Sequence, residues 1–125
     1  MYKFYDTESL MKAKKKNFKS GDMIVSTISL QEIEEMKSYS FAARRTDRLL
    51  KDPASKYEVI IYKTPMSAII DKQNLEKNND TKIIACAVWC DTSLYPDNVE
   101  IITNKPSIYN IANLYFGNDS IKYID

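Results

Sequence analysis

Val99-Glu100-Ile101-Ile102-Thr103-Asn104-Lys105-Pro106-Ser107-Ile108 is the stretch on which the fold turns. Its first five residues are rich in β-branched side chains and read as a short strand. Pro106 then stands where a first-turn proline opens a helix, because its missing N–H is one that the first turn leaves unpaired anyway. Ile108, Ile111, Ala112 and Tyr115 supply the inner stripe of that helix, and Gly117 ends it.

The same alternation extends towards the N-terminus. Asn78-Asn79-Asp80 opens a helix in which Ile83, Ile84, Ala87 and Val88 fall at i+3, i+4, i+7 and i+8 from Asp80. Before it, Tyr57 to Tyr62 is a strand, and Pro65 starts a short helix through Ile70. Met23-Ile24-Val25-Ser26 is an apolar strand after the Gly21-Asp22 turn. Ser29 caps the next helix, Glu32 completes a capping box, and Leu30, Ile33 and Met36 form the buried stripe. Phe41 to Leu50 is a further helix, stopped by Asp52-Pro53. Tyr2 to Tyr5 is a strand followed by a helix over Thr7 to Lys14, and Ser120 to Ile124 closes the chain as a strand. Strands alternating with helices predict a three-layer α/β domain: a mostly parallel sheet of four to five strands, flanked by helices and joined by right-handed crossovers. With 125 residues and no repeat, low-complexity tract or linker, residues 1–125 read as a single domain.

Composition excludes several classes. The chain is 44% hydrophobic and 28% charged, unlike a disordered chain. No apolar run approaches the roughly 18 residues of a membrane span. Met1 to Asp6 reads as a strand ending in an acid, not as a signal peptide. Cys86 and Cys90 share a helix face and read as small core residues, which fits a reducing, cytoplasmic compartment. The chain has no His, so a Cys/His zinc site is excluded. A net charge of +1 is low for bulk electrostatic nucleic-acid binding. The charge is nevertheless clustered: Lys12, Lys14, Lys15, Lys16 and Lys19 fall together, as do Arg44, Arg45, Arg48 and Lys51. The simplest reading of each run is a solvated helix face.

In open parallel sheets, ligands bind beyond the C-terminal ends of the strands. That edge collects Asp6, Glu32, Asp80 and the Thr103-Asn104-Lys105 loop. Each acid also has a local explanation: Asp6 and Asp80 as helix caps, Glu32 as part of a capping box. Their common location is what points to chemistry.

Four segments resemble the motifs of PIN-domain ribonucleases, in the right order along essentially the whole chain. Phe4-Tyr5-Asp6-Thr7 is similar to the opening Asp-Thr motif. Ile28 to Lys37 resembles the helix carrying the second acid, most closely that of PhoH-type PIN domains. Asn79 to Ala87 is similar to the third motif, and Ile101-Ile102-Thr103-Asn104-Lys105 to the fourth. The resemblance implies a metal-dependent endoribonuclease that hydrolyses RNA phosphodiester bonds. Asp6, Glu32 and Asp80 would then be both catalytic groups and ligands of Mg²⁺ or Mn²⁺, since hard cations take carboxylate oxygens. Thr7 and Thr103 would support the acids from behind, and Arg44, Arg45 and Arg48 would contact RNA phosphates. RNA is the implied partner, with a second copy of the chain or another protein also compatible. Tyr39, Tyr62 and Tyr95 could offer stacking faces, although sheet aromatics and Trp89 read more simply as core. Asp71, Asp91 and Asp97 could each stand in for the missing acid, but Asp91 lies three turns from Asp80, too far to share a metal.

Lys105 departs from the pattern, which expects Asp there. A cation at a helix start is locally unfavourable, but it becomes tolerable if the ammonium faces the three carboxylates. Three outcomes are compatible with it: a weakened enzyme, an inactive PIN-like module that binds RNA or a protein, or a lysine turned to solvent with Asn104 as a neutral ligand.

Overall fold

The computed structural model describes residues 1–123. Five strands form one sheet: β1 (Tyr2–Tyr5), β2 (Met23–Ser26), β3 (Tyr57–Ile60), β4 (Val99–Thr103) and β5 (Ile121–Tyr123). Their order is β3-β2-β1-β4-β5, and every pairing is parallel. The chain builds outward from β1 to one edge, then returns across it to build the other. The strand order therefore reverses at β1 and β4, where a crevice opens beyond the strand ends.

Among the described residues, seven α-helices cover the sheet: α1 (Thr7–Lys12), α2 (Lys15–Phe18), α3 (Thr27–Met36), α4 (Phe41–Lys51), α5 (Thr64–Lys72), α6 (Asn79–Trp89) and α7 (Pro106–Ala112). Alternating strand residues feed two separate cores. Phe4, Ile24 and Ile101 meet Met66, Ile70, Ile83, Ile84 and Ile108 from α5, α6 and α7. Tyr5, Val25 and Ile102 meet Leu10, Phe18, Ile33, Ala43 and Leu50 from α1 to α4. Ile28 belongs to the first core and Ile33 to the second, so α3 passes over the C-terminal end of the sheet and carries Glu32 there. Ile24 is fully buried on the central pair of strands, and truncating it to Ala would cost about 2–5 kcal/mol in lost transfer energy and cavity.

Several boundaries differ from the sequence reading. Ser26 caps α3, its side chain accepting from the Ser29 N–H, so Ser29 lies inside the helix and Glu32 takes no part in a capping box. Asn78, not Asp80, caps α6, through a reciprocal pairing with Thr81. α1 stops at Lys12 because Ala13 and Lys14 are extended, and Lys14 to Lys19 form a separate turn closed by Asn17. β3 ends at Ile60, as the Tyr62 N–H leaves the sheet to reach Thr27 Oγ1 at 3.2 Å. α7 ends at Ala112, and Tyr115 packs on the core from the following turns. β5 covers Ile121–Tyr123, and Ile124 lies outside the described residues.

Candidate functional site: an acidic cleft closed by a lysine

At the β1/β4 reversal, a cleft of about 110 Å³ opens between α1, α3, α6 and α7. Asp6, Glu32, Asp80 and Lys105 all line it, together with Thr7 and Glu8, over apolar walls from Met11, Met36, Ile83 and Ile108. Elements separated by most of the chain length thus deliver the three acids to one place.

Each carboxylate is held by the protein itself. Asp6, only 1% exposed, caps α1: its Oδ1 accepts from the Ser9 N–H at 2.8 Å, and its Oδ2 accepts from the Thr103 hydroxyl. Glu32 Oε1 accepts from the Thr7 hydroxyl at 2.5 Å, and its Oε2 accepts from Asn79 Nδ2 at 3.2 Å. Ser29 Oγ lies 3.0 Å from the same Thr7 hydroxyl. Asp80 Oδ1 accepts from the Lys105 ammonium at 3.0 Å, and Oδ2 accepts from the Ser107 hydroxyl at 3.1 Å. Burial works against the charged form of Lys105. The hydrogen bond to Asp80 and the charges of Asp80, Glu8 and Glu32 outweigh it, holding the lysine above its ordinary pKa.

Lys105 is the residue before Pro106 and occupies the cap position of α7 without a side-chain cap bond; its N–H donates to Thr103 Oγ1 at 3.1 Å. That bond ties it to the Thr103–Asp6 pair and aims its side chain across the cleft.

The donor set is chemically that of a hard divalent cation, being carboxylate and hydroxyl oxygen. Its arrangement is not. An ammonium stands against Asp80, in place of a cation's charge, while the single donor on each carboxylate oxygen leaves a second lone pair open. Among the described residues, no three His, Cys, Asp or Glu side chains are grouped closely enough to hold a metal ion. With the ammonium at Asp80, the residues as arranged do not fit a shared Mg²⁺ or Mn²⁺.

Other expectations fall outside the cleft. Asn104 does not line it, and its buried Oδ1 has no partner among the described residues. Arg44 donates to the Lys37 carbonyl at 2.8 Å and Arg45 to the Met11 carbonyl at 2.7 Å, so both guanidiniums brace α4, while Arg48 is exposed. None of the three lines the cleft. Tyr39 is 74% exposed; Tyr62 lies under the Lys82 ammonium, and Tyr95 stacks on Tyr2. Trp89 packs against the core. Asp71 pairs with Lys77, and neither Asp91 nor Asp97 lines the cleft. Ser29, Asn79 and Ser107 were missed by sequence reasoning. Ser107 stands at the second position of a helix whose start was legible, and that placement was the available signal.

Burial pushes both thiols, Cys86 and Cys90, up to about 12, so they are neutral core groups. Among the described residues, no helix is long and apolar enough to cross a membrane.

This all-parallel sheet in strand order β3-β2-β1-β4-β5, between two helical layers, is a PIN-like α/β fold. Two solved structures share it. One is a chain from VapBC2 of Rickettsia felis bound to a DNA fragment from the promoter, with 17% identity, TM-score 0.58 and full coverage of both chains. The other is from DNA-bound VapBC of Salmonella typhimurium, with 18% identity and TM-score 0.54, covering 100% of this chain and 98% of that one. At such identities the likeness is one of fold alone. No family model and no curated protein matches the chain.

Proposed function

We propose that the chain is a degenerate PIN-type ribonuclease domain, which engages RNA but holds its cleavage site shut with Lys105. The observation that carries this reading is the 3.0 Å contact between Lys105 Nζ and Asp80 Oδ1, in the cleft that also gathers Asp6 and Glu32. Phosphodiester hydrolysis needs an activated water and neutralisation of developing charge, which a divalent ion supplies when it is bound. In this chain the side chains do something else. Thr7 and Asn79 orient Glu32, Ser9 and Thr103 fix Asp6, and Lys105 with Ser107 holds Asp80. Lys105 relieves the repulsion among the acids that a cation would otherwise relieve.

A competent metal-dependent endoribonuclease is the second reading. It is favoured by the gathering of Asp6, Glu32 and Asp80 in one cleft at the strand-order reversal, and by the 40% exposure of the Lys105 side chain, which leaves it room to swing away. Asp6, Glu32 and Asp80 would then be the ligands of Mg²⁺ or Mn²⁺. A protein partner or a second copy also fits the proposal, since the two solved structures named above come from VapBC complexes. Exposed Tyr39 and Phe41 offer one surface for it.

The test is cleavage of labelled single-stranded RNA with Mn²⁺, beside an EDTA control. The degenerate reading expects RNA binding with little or no cleavage. Brisk Mn²⁺-dependent cleavage, abolished by Asp80→Asn in a protein that still folds, would establish the second reading instead.

A further inference from the structure

We propose that a lysine-rimmed trough on the far side of α1 from the acidic cleft is a groove for the phosphate backbone of single-stranded RNA. The proposal rests on the reading that this domain handles RNA, and it says where the strand is held.

The trough follows from the topology. On the α1–α4 face of the sheet, the helices pack over β1, β2, β3 and, through α1, part of β4, while the sheet continues to β5. Tyr5, Ile102 and Lys122 are neighbours in one row of the register across these strands. They floor a concavity of about 390 Å³ whose rim carries Lys3, Lys12, Lys14 and Lys16. Among the described residues no carboxylate lines it. Burial, and after it the charges of nearby Asp22 and Glu100, raise the pKa of Tyr5 on its floor; Glu100 lies opposite Lys3 in the register.

The charge here is unbalanced. Lys37, Lys51, Lys77 and Lys105 each sit within 4.0 Å of an acid. Lys15, Lys19, Lys56, Lys63, Lys72 and Lys82 do not among the described residues, so it is the clustering at the trough that sets it apart. Lys3, Lys12, Lys14, Lys16 and Lys122 make no such pair among the described residues. The overall charge of +1 therefore conceals a segregation across one helix. The helical period turns Glu8 and Met11 of α1 towards the acidic cleft, and Ser9 and Lys12 towards the trough. The two sites are one helix width apart, about 10 Å.

This arrangement selects its ligand. The acidic cleft, with Asp6, Glu8, Glu32 and Asp80 against Lys105, repels a bare phosphate. A strand must therefore be gripped beside the cleft, and five ammonium groups provide affinity independent of sequence. The volume suits a nucleotide-sized group at the lower end of small-ligand pockets, not a duplex. The floor is a tyrosine and an isoleucine within a polar rim, so it lacks the broad apolar surface that a membrane contact buries.

The experiment measures binding of a labelled oligouridylate across a salt titration, for three proteins whose folding is checked by melting. One is the wild type. The second is Lys12→Ala/Lys16→Ala/Lys122→Ala, from the trough. The third is Lys15→Ala/Lys19→Ala/Lys56→Ala, which removes equal charge from exposed positions outside it. The trough triple should bind more weakly and lower the slope of log affinity against log salt by about 2, at roughly 0.7 per phosphate contact on a single strand. The control triple should change the slope by less than half of that. Equal effects of the two triples would show diffuse attraction and overturn the trough. Unchanged binding in the trough triple would overturn it while leaving the RNA reading intact. Absence of RNA binding by the wild type would overturn both.

Discussion

Replacing Lys105 by Asp tests the closed cleft most directly, and its outcome can be worked from the structure. The Nζ–Oδ1 separation is 3.0 Å, with side-chain exposures of 40% for Lys105 and 23% for Asp80. At that distance Coulomb's law gives about 5 kcal/mol at an effective dielectric of 20 and about 1.4 kcal/mol in water. Solvent screening and side-chain entropy bring a pair this exposed to about 1 kcal/mol or less. Losing the pair should thus lower the melting temperature by about 3–6 °C in a domain of this size. Lys105→Ala should show this loss alone. Lys105→Asp should recover part of it, because position 105 caps α7 without a side-chain bond and a capping Asp is worth about 1 kcal/mol. The added carboxylate also repels Asp6, Glu32 and Asp80, so metal-free Lys105→Asp should still melt below the wild type, a loss that does not by itself distinguish a closed cleft from a merely structural lysine. What separates them is the response to Mn²⁺. With the ammonium gone and a carboxylate added, the variant should gain about 2.7 kcal/mol at a metal concentration 100 times its dissociation constant, whereas the wild type should gain almost nothing. Melting curves across a Mn²⁺ titration, with EDTA as the baseline, measure this, and an RNA time course on the same samples reads any gain in cleavage. If Lys105→Asp responds to Mn²⁺ no more than the wild type, Lys105 does not hold the cleft closed, and the assignment of its position is wrong.

Further outcomes follow from the same geometry. Asp6→Ala should cost about 2–4 kcal/mol in urea unfolding, since it removes a helix cap and strands the buried Thr103 hydroxyl; a loss under about 0.5 kcal/mol would show that Asp6 is not structural. Arg45→Ala should lower stability by about 1–1.5 kcal/mol through its lost bond to the Met11 carbonyl. Arg48→Ala should leave stability unchanged, and only an effect of Arg48→Ala on RNA affinity would support the basic face of α4 as a phosphate contact. Cys86 and Cys90 are held up to about 12 by burial, while unfolded thiols ionise near about 8.5. The folded state then keeps protons that the unfolded state loses, so stability should fall as pH rises past about 8.5, by about 1.4 kcal/mol per pH unit per thiol. In Cys86→Ala/Cys90→Ala that fall between about pH 8 and about pH 10 should shrink; an unaltered slope would mean that the thiols are not sequestered.

Local chemistry made the element order readable from the sequence. Strand and helix periods, the first-turn position of Pro106 and the stop at Asp52-Pro53 act over a few residues, so the α/β class and the gathering of Asp6, Glu32 and Asp80 at one sheet edge were legible. The Ser29 cap failed because Ser26, Thr27 and Ser29 are all capping residues, and the choice among them depends on where β2 leaves the sheet. Lys105 was legible as an oddity, a cation at a helix start. Its contact with Asp80 needed α6 and α7 to lie side by side. The Thr103–Asp6 bond spans 97 positions and exists only because β4 pairs with β1. The lysines of α1 and α2 read as a solvated face, since nothing in their spacing places Lys3 and Lys122 beside them. Only the strand order β3-β2-β1-β4-β5 does so, by setting β1 and β5 on either side of β4. Local periodicity therefore determined what each segment is. The tertiary structure decided which charges meet, because pairings between distant strands leave no periodic trace in the chain.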